Sequence, residues 1–315
     1  MPSQTIQWFP GHMAKTRRLI TENLSQVDIV IELLDARIPK SSKNPEIDRL
    51  TAGKPKLTLL TKASLADPAS TSKWVAAYSK NANAKAIAID VITGEGVKNI
   101  APAIREILAE KLKRYEMKGM SGRKIRAMIV GIPNVGKSSL VNKLGGGKKA
   151  KVEDRPGVTL TKQWVTTSIG IELLDMPGVL WPKFDDAIIG ENLAFTGAIR
   201  DAILDIEELA SKLCMRLYKN HTSLFCTRYK LDADKLTEAG PYDLLSAVAR
   251  RRGFLVSGGE LDTERASTIV LDEFREGKIG RITLELPEVV KKKNEEKAEN
   301  KSNKCAETAS EESHD

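Results

Sequence analysis

The sequence is poor in cysteine, histidine and aromatic residues. Its 315 residues include three cysteines, three histidines and only 5% aromatic residues. The cysteines and histidines stand far apart, at Cys214, Cys226, Cys305, His12, His221 and His314. Because no C-x-x-C pair occurs and the cysteine number is odd, neither a zinc site nor a disulfide framework is indicated. The hydrophobic share of 41% is enough for a sizeable core, which must be mainly aliphatic.

The sequence also lacks a long apolar run. No stretch reaches the length of a membrane span, and residues 1–4 do not begin a basic-then-apolar signal pattern. We therefore expect a soluble, cytoplasmic protein with reduced thiols. The 50 Lys and Arg residues exceed the 42 Asp and Glu residues, for a net charge of +8. This excess favours an anionic partner such as nucleic acid, although a basic surface without a specific partner is an alternative.

One glycine-rich segment has a recognisable chemistry. Residues 131–138 read GIPNVGKS, the pattern G-x-x-x-x-G-K-S, between an apolar run and a helical pattern. In a strand–loop–helix of this kind, backbone N–H groups and the helix N-terminus surround phosphate oxygens. Lys137 would reach the β- and γ-phosphates, and the Ser138 hydroxyl would bind Mg²⁺. The alternative is a glycine-rich turn before an ordinary helix.

The segment before this phosphate-binding loop alternates strands and helices. Apolar runs at 28–34, 57–60 and 86–89 predict buried strands, residues 67–80 predict a helix, and 97–117 predict a long amphipathic helix. The alternation predicts an α/β fold with a mostly parallel sheet and helices on both faces. Ligands of such sheets bind at the carboxyl ends of the strands.

Two elements after the loop would complete a nucleotide site. Thr159, in a loop, could supply a second Mg²⁺ ligand, and a strand at 171–174 leads to Asp175, which is placed to hold Mg²⁺. Gly178 could bring its backbone N–H close to a γ-phosphate. Alone, the D-x-P-G segment would be read as a β-turn.

The second half is predicted to be helical. Helical patterns at 201–218, 241–251 and 264–276 precede a short extended segment at 281–286. We predict a domain at 1–185, a small helical domain at 186–288 and a disordered charged tail at 289–315. The helical domain could dock on RNA, or could only pack on the first domain.

Five motifs occur together, namely residues 8–13 (WFPGHM), 35–39 (DARIP), 131–138 (GIPNVGKS), 156–159 (PGVT) and 175–182 (DMPGVLWP). Together they resemble the ribosome biogenesis GTPase A family over about residues 5–285. That family belongs to the circularly permuted GTPases, in which the base-recognition motifs precede the phosphate-binding loop. The resemblance explains why this loop begins only at residue 131.

The resemblance implies GTP hydrolysis coupled to a late step in assembly of the large ribosomal subunit. The implied partners are the precursor of that subunit and its rRNA, contacted by the helical C-terminal domain, with no DNA or membrane partner. The implied ligands are GTP or GDP, Mg²⁺ and a K⁺ ion that is associated with an asparagine at the Asn134 position. Thr159 matches the switch threonine. The residues implied to bind phosphates and Mg²⁺ are Asn134, Val135, Gly136, Lys137, Ser138 and Ser139.

The catalytic and base-recognition positions depart from common GTPase patterns. Val179 stands where many GTPases carry a water-orienting glutamine, and the resemblance implies His12 as its substitute. The guanine-reading motif Asn-Lys-x-Asp is replaced by the four residues Thr61, Lys62, Ala63 and Ser64. A serine supplies at most one weaker acceptor than an aspartate, which could cost about 1–3 kcal/mol of base discrimination. The third recognition element is Asp90-Val91, where the family often has a polar pair that ends in serine.

These departures keep two alternatives open. One is a nucleotide-binding, RNA-associated assembly factor with little hydrolysis or relaxed base specificity, and the other is an ATPase or kinase with the same loop. For the GTPase we expect slow intrinsic turnover that rises on the ribosomal partner.

Overall fold

The computed structural model describes residues 11–79, 84–120, 122–145, 163–181, 184 and 186–287. For residues 11–14 and 163, it describes the backbone alone. Within these ranges, no helix is long and apolar enough to cross a membrane.

A six-stranded sheet forms the centre of the described chain, in the order β3-β2-β1-β4-β6-β5. Its strands are β1 (Ile29–Asp35), β2 (Lys56–Thr61), β3 (Ala84–Ala88), β4 (Ile125–Gly131), β5 (Gln163–Thr166) and β6 (Ile171–Asp175). All neighbouring pairs are parallel except β5 and β6, which are antiparallel. The mostly parallel sheet that the sequence predicts is confirmed.

The order of the strands accounts for the late phosphate-binding loop. Strand β4, which leads into that loop, lies between β1 from the preceding segment and β6 from the following one. The strands before and after the loop therefore extend the sheet on opposite sides of β4. The carboxyl ends of β1, β2, β4 and β6 meet at one edge of the sheet. In the chain, however, the strand that leads into the phosphate-binding loop comes after β1 and β2.

Eleven α-helices occur in the described ranges. They are α1 (Gly11–Leu24), α2 (Pro45–Leu50), α3 (Pro68–Tyr78), α4 (Ile100–Ile107), α5 (Ala109–Met117), α6 (Lys137–Leu144), α7 (Ala187–Phe195), α8 (Ile206–Asn220), α9 (Thr222–Tyr229), α10 (Pro241–Arg252) and α11 (Thr263–Arg275). Short 3₁₀ turns lie at Ala63–Leu65, Val97–Asn99, Asp201–Ile203 and Ala233–Leu236.

Helices cover both faces of the sheet, as the sequence predicts. On one face, Ile31 of β1 belongs to the same buried cluster as Ile104 of α4 and Leu140 of α6. On the other face, Val30 of β1 clusters with Ile20 of α1. Because successive strand residues point to opposite faces, the apolar run of β1 supplies both cores.

Several predicted elements have different bounds. The long helix predicted at 97–117 is interrupted at Leu108, and the helix predicted at 201–218 begins only at Ile206, with Asp205 as its N-cap. Helices α2, α7 and α9 and the short strand β5 were not predicted. The extended segment at 281–286 forms no strand within the described residues.

The helical second half packs around α8, which contacts α9, α10 and α11. Its buried apolar residues, including Leu213 and Leu271, continue the cluster under the α4 and α6 face of the sheet. The described residues up to Glu285 form one compact unit, and a second unit begins at Leu286. The boundaries predicted at 185 and 288 stay predictions.

Candidate functional site

The phosphate-binding loop has a backbone that requires glycine at two positions. Gly131 has φ 154°, and a Cβ on it would lie 2.7 Å from the Leu33 carbonyl oxygen, so a side chain there would collide with β1. Gly136 precedes α6 with φ 100°, and Asn134 also has a positive φ of 57°. Such left-handed residues turn successive N–H groups toward one side of a loop. The local sequence thus supports the anion-binding geometry that its pattern predicts.

Lys137, the first residue of α6, is a buried cation that lies against this loop. Its side chain is 7% exposed, and Nζ donates to the carbonyl oxygens of Gly131 at 3.1 Å and Ile132 at 2.6 Å. Burial lowers the pKa of Lys137 to about 8, against the opposing effect of the Asp175 carboxylate. A bound phosphate would stabilise the charged form of this lysine.

Asp175 lies at the end of β6, and its Cα pairs with that of Ile129 in β4. Only 3% of the residue is exposed, and burial raises its pKa, opposed by Lys137 and the Met176 amide. Its Oδ1 atom is buried and has no hydrogen-bond partner among the described residues. A buried carboxylate oxygen without a donor fits a cation ligand. Ser138, in the first turn of α6, is half-buried.

The chain after Asp175 folds back onto the phosphate-binding loop. A Cβ on Gly178 would lie 2.9 Å from both the Lys137 Nζ and the Pro133 backbone nitrogen, so only glycine fits here. The Val179 amide donates to the Gly131 carbonyl at 3.2 Å. The Val179 side chain is 4% exposed and therefore lies in the interior. An apolar, buried side chain cannot orient an attacking water.

The segment 61–64, which we call the base loop, is attached to the phosphate-binding loop. The Thr61 hydroxyl oxygen lies 2.7 Å from the Val135 carbonyl oxygen and 3.0 Å from that of Leu34. Lys62 has φ 56°, and its Nζ lies 3.1 Å from Asp35 Oδ2. These contacts place the base loop and the phosphate-binding loop side by side at the carboxyl edge of the sheet.

Ser64 of the base loop contacts Asp90, which follows β3. The Ser64 hydroxyl donates to Asp90 Oδ2 at 2.5 Å. The Ala63 amide donates to the Ile89 carbonyl at 3.2 Å, and Val91 packs half-buried against the core. The structure thus brings together both segments that the sequence predicts to read the base.

The comparisons with known proteins agree with this geometry. The profile of the family described as 50S ribosome-binding GTPase matches residues 126–227. Ribosome biogenesis GTPase A from Bacillus cereus is 47% identical over 283 residues, which cover 90% of this chain and 94% of that protein. The chain belongs to the ribosome biogenesis GTPase A family. It is therefore a GTP hydrolase that binds guanine nucleotides.

Two solved structures have the same fold. The GDP-bound structure of TM YlqF is 26% identical, with a TM-score of 0.62, and covers 86% of this chain and 100% of that one. The GNP-bound YlqF from T. maritima is 28% identical, with a TM-score of 0.58, and covers 87% of this chain and 99% of that one. The circularly permuted GTPase fold predicted from the motifs is confirmed.

The roles of all the predicted site residues of this GTPase remain predictions, including those of Asn134, His12 and Thr159. Asn134 donates its Nδ2 to the Gly197 carbonyl at 2.8 Å, so its Oδ1 is the atom that could bind K⁺. His12 lies in the first turn of α1, and its side chain is outside the described residues. Thr159 lies outside the described residues altogether.

Asp35 and Arg37 belong to one of the family motifs but had no predicted role. The Arg37 guanidinium donates to Asp35 through Nε at 2.9 Å and through Nη2 at 2.7 Å, and both residues are fully buried. Arg37 Nη1 also donates to the Arg275 carbonyl at 3.2 Å, at the end of α11. Burial raises the pKa of Asp35, but Arg37 and Lys62 outweigh it and hold that pKa far below its usual value. The sequence does contain a signal for a role of Asp35, because an acidic residue directly follows a run that predicts a buried strand.

The segment that follows α11 also contacts the base loop. Arg281 donates to the carbonyls of Ala63 at 3.0 Å and Ala66 at 2.9 Å, and the Ile282 amide donates to the Leu65 carbonyl at 3.0 Å. No sequence signal pairs these segments, which are more than two hundred residues apart. The base loop is therefore supported from the helical half of the chain.

Proposed function

We propose that this GTPase binds the precursor of the large ribosomal subunit and couples GTP hydrolysis to a late step of its assembly. The buried Lys137 and Asp175 at the phosphate-binding loop, with an unpartnered Asp175 oxygen, are the observation that carries the hydrolytic part. The names of the family and of its matched profile support the ribosomal part.

Ser138, Asp175 and Thr159 would hold Mg²⁺, and Asn134 would hold K⁺. When bound, these ions would neutralise the charge that develops on the phosphate oxygens. Lys137 would exchange its two backbone carbonyls for phosphate oxygens and stabilise the same charge. Gly178 would offer its backbone N–H to the γ-phosphate. Thr61 and Lys62 would place the base.

His12 would orient the attacking water, since the buried Val179 side chain cannot do so. In a single-turnover assay we expect His12→Ala to slow hydrolysis by about a hundredfold or more, with little change in GTP affinity. His314→Ala, which removes a histidine near the end of the sequence, serves as the control. Equal rates for His12→Ala and wild type would remove His12 from the mechanism.

The helical half would contact rRNA through the C-terminal end of α10. Arg250 and Arg251 are exposed there, whereas Arg252 pairs with Glu273 at 3.1 Å and supports the fold. We expect Arg250→Glu/Arg251→Glu to weaken binding to large-subunit precursors and to lower the salt dependence of binding by about two counterions. Lys98→Glu/Arg105→Glu, two exposed residues near and on α4, is the charge-matched control. Unchanged binding would exclude this surface.

The central test measures GTP hydrolysis with and without purified large-subunit precursors. We expect slow turnover of the protein alone and faster turnover with the particles. The proposed site of action is the cytoplasm. An equal hydrolysis rate with and without the particles would favour the alternative, an RNA-associated assembly factor with little hydrolysis. Competition among GTP, ATP and XTP for the site tests relaxed base specificity, and tighter binding of ATP would contradict guanine recognition.

A further inference from the structure

Ser64, which stands in place of the motif aspartate, is in direct contact with Asp90 of the third recognition element. Their sequence positions are 26 apart, yet the Ser64 hydroxyl lies 2.5 Å from Asp90 Oδ2 and the Ser64 amide lies 3.4 Å from the same atom. The carboxylate that the base loop lacks at position 64 is thus present directly beside it. The two recognition segments therefore form one arrangement.

The Asp90 carboxylate is fully engaged and cannot itself face a nucleobase. Oδ1 accepts from the amides of Ile92 at 2.8 Å and Thr93 at 3.0 Å, while Oδ2 accepts from Ser64. Only 3% of Asp90 is exposed, whereas Ser64 is half-buried. Burial raises the pKa of Asp90, but these hydrogen bonds outweigh it and hold the pKa below its ordinary value. Asp90 is therefore an ionised group that can only accept.

This contact determines what Ser64 can offer to another group. A hydroxyl has one hydrogen and two acceptor lone pairs. Because an ionised carboxylate cannot donate, the hydrogen between Ser64 and Asp90 must come from Ser64. Ser64 then presents only lone pairs, and the neighbouring negative charge strengthens them as acceptors.

We infer that Asp90 is a positioning residue that fixes Ser64 as an acceptor for the 2-amino group of guanine. This inference rests on the base loop reading the nucleobase, as in the proposed function. Adenine has no 2-amino group to donate, and xanthine presents a carbonyl oxygen at position 2 that opposes the Ser64 lone pairs. Hypoxanthine has only a hydrogen at position 2, so it loses this hydrogen bond without the repulsion and should be tolerated better than xanthine.

Asp90→Asn tests this assignment because it reverses the direction of one hydrogen bond. The Asn oxygen can still accept from the Ile92 and Thr93 amides, which places its NH₂ group toward Ser64. Ser64 would then accept from Asn and turn its own hydrogen outward. We expect the ratio of GTP to XTP affinity, measured by competition with labelled GTP, to fall about tenfold. Glu95→Gln, on the same turn and exposed, removes the same charge and should leave the ratio unchanged.

Further variants keep the test decisive if Asp90→Asn does not fold. Ser64→Ala should lower the GTP to XTP ratio by a similar factor, and adding Asp90→Asn to it should change the ratio no further, because the acceptor is already gone. Ser64→Asp alone places two carboxylates in contact and should destabilise the fold. Ser64→Asp/Asp90→Ser should recover the fold and match or exceed the wild-type preference for GTP, because a carboxylate then faces the base.

The outcomes separate this inference from the proposed function. If the wild type prefers GTP but Asp90→Asn and Ser64→Ala keep its ratio, the Ser64–Asp90 assignment is wrong and the guanine site stands. If the wild type does not distinguish GTP from ATP and XTP, the base-reading role of the loop is itself overturned. A ratio that falls in both variants but not in Glu95→Gln supports the assignment.

Discussion

The Thr61 hydroxyl oxygen lies 2.7 Å from the Val135 carbonyl oxygen, which joins the loop proposed to read the base to the loop proposed to bind the phosphates. Thr61 ends β2 and Val135 lies between β4 and α6. Both residues are buried, so the bond is shielded from water. This buried bond therefore helps to set the spacing of the base and phosphate subsites.

Thr61→Val should weaken nucleotide binding and loosen the loops. It keeps the shape of the side chain but leaves the buried Val135 carbonyl without this donor, at a cost of about 1–3 kcal/mol. We expect lower stability in urea unfolding and a weaker affinity for GTP by calorimetry. Thr58→Val, a buried threonine of the same strand away from the loop, is the matched control. Equal GTP affinities for both variants would contradict the coupling.

Nucleotide binding should take up protons near pH 8. The pKa of Lys137 in the free protein is lowered to about 8 by burial, and bound phosphates raise it again by favouring the charged form. Affinity is therefore greatest below pH 8 and falls as the pH rises through this value. Calorimetry in two buffers of different ionisation enthalpy should detect an uptake of about half a proton at pH 8.

The variant Lys143→Met, from the last turn of the same helix, should keep this proton uptake. Lys137→Met should abolish it and lower hydrolysis by at least about a hundredfold. An uptake that is unchanged in Lys137→Met would assign the proton to another group.

Val179→Gln should not create a faster GTPase. Although many GTPases use glutamine at this position, the side chain here is buried and its backbone is bonded to Gly131 and Asn44. A glutamine would bury an unsatisfied amide at a cost of about 1–3 kcal/mol. We expect reduced thermal stability and an unchanged or lower single-turnover rate. A rate increase without loss of stability would show that residue 179 can reach the water.

Arg37→Met should strongly destabilise the protein. It removes the bidentate partner of buried Asp35 and the donor to the Arg275 carbonyl. Breaking a buried ion pair costs about 3–5 kcal/mol of stability. The loss here should lie near the lower end of that range because Lys62 still pairs with Asp35. Urea unfolding should also show that Asp35→Leu/Arg37→Met recovers much of the loss, since no buried charge is then left alone. If Arg37→Met were as stable as the wild type, the Asp35–Arg37 pair would not stabilise the contact with α11.

Much of the nucleotide site could be predicted because its signals are local. The loop at 131–138, its strand and its helix are adjacent in sequence, and their glycines have the backbone angles that the pattern requires. Asp175 was predicted from its place at a strand end, and the structure leaves its Oδ1 without a partner among the described residues. The four-residue strand β5 is too short for a periodic signal, and Leu108 interrupts a helix whose apolar spacing continues across it.

The sequence by itself determined the fold class, the phosphate-binding loop and the permuted order of the motifs, because each depends on neighbouring residues. The tertiary structure alone decided which distant residues touch. It pairs Ser64 with Asp90, connects Arg37 to the end of α11 and places Arg281 against the base loop. These contacts depend on parallel strands that bring remote segments to one edge of the sheet, and no local pattern encodes such neighbours.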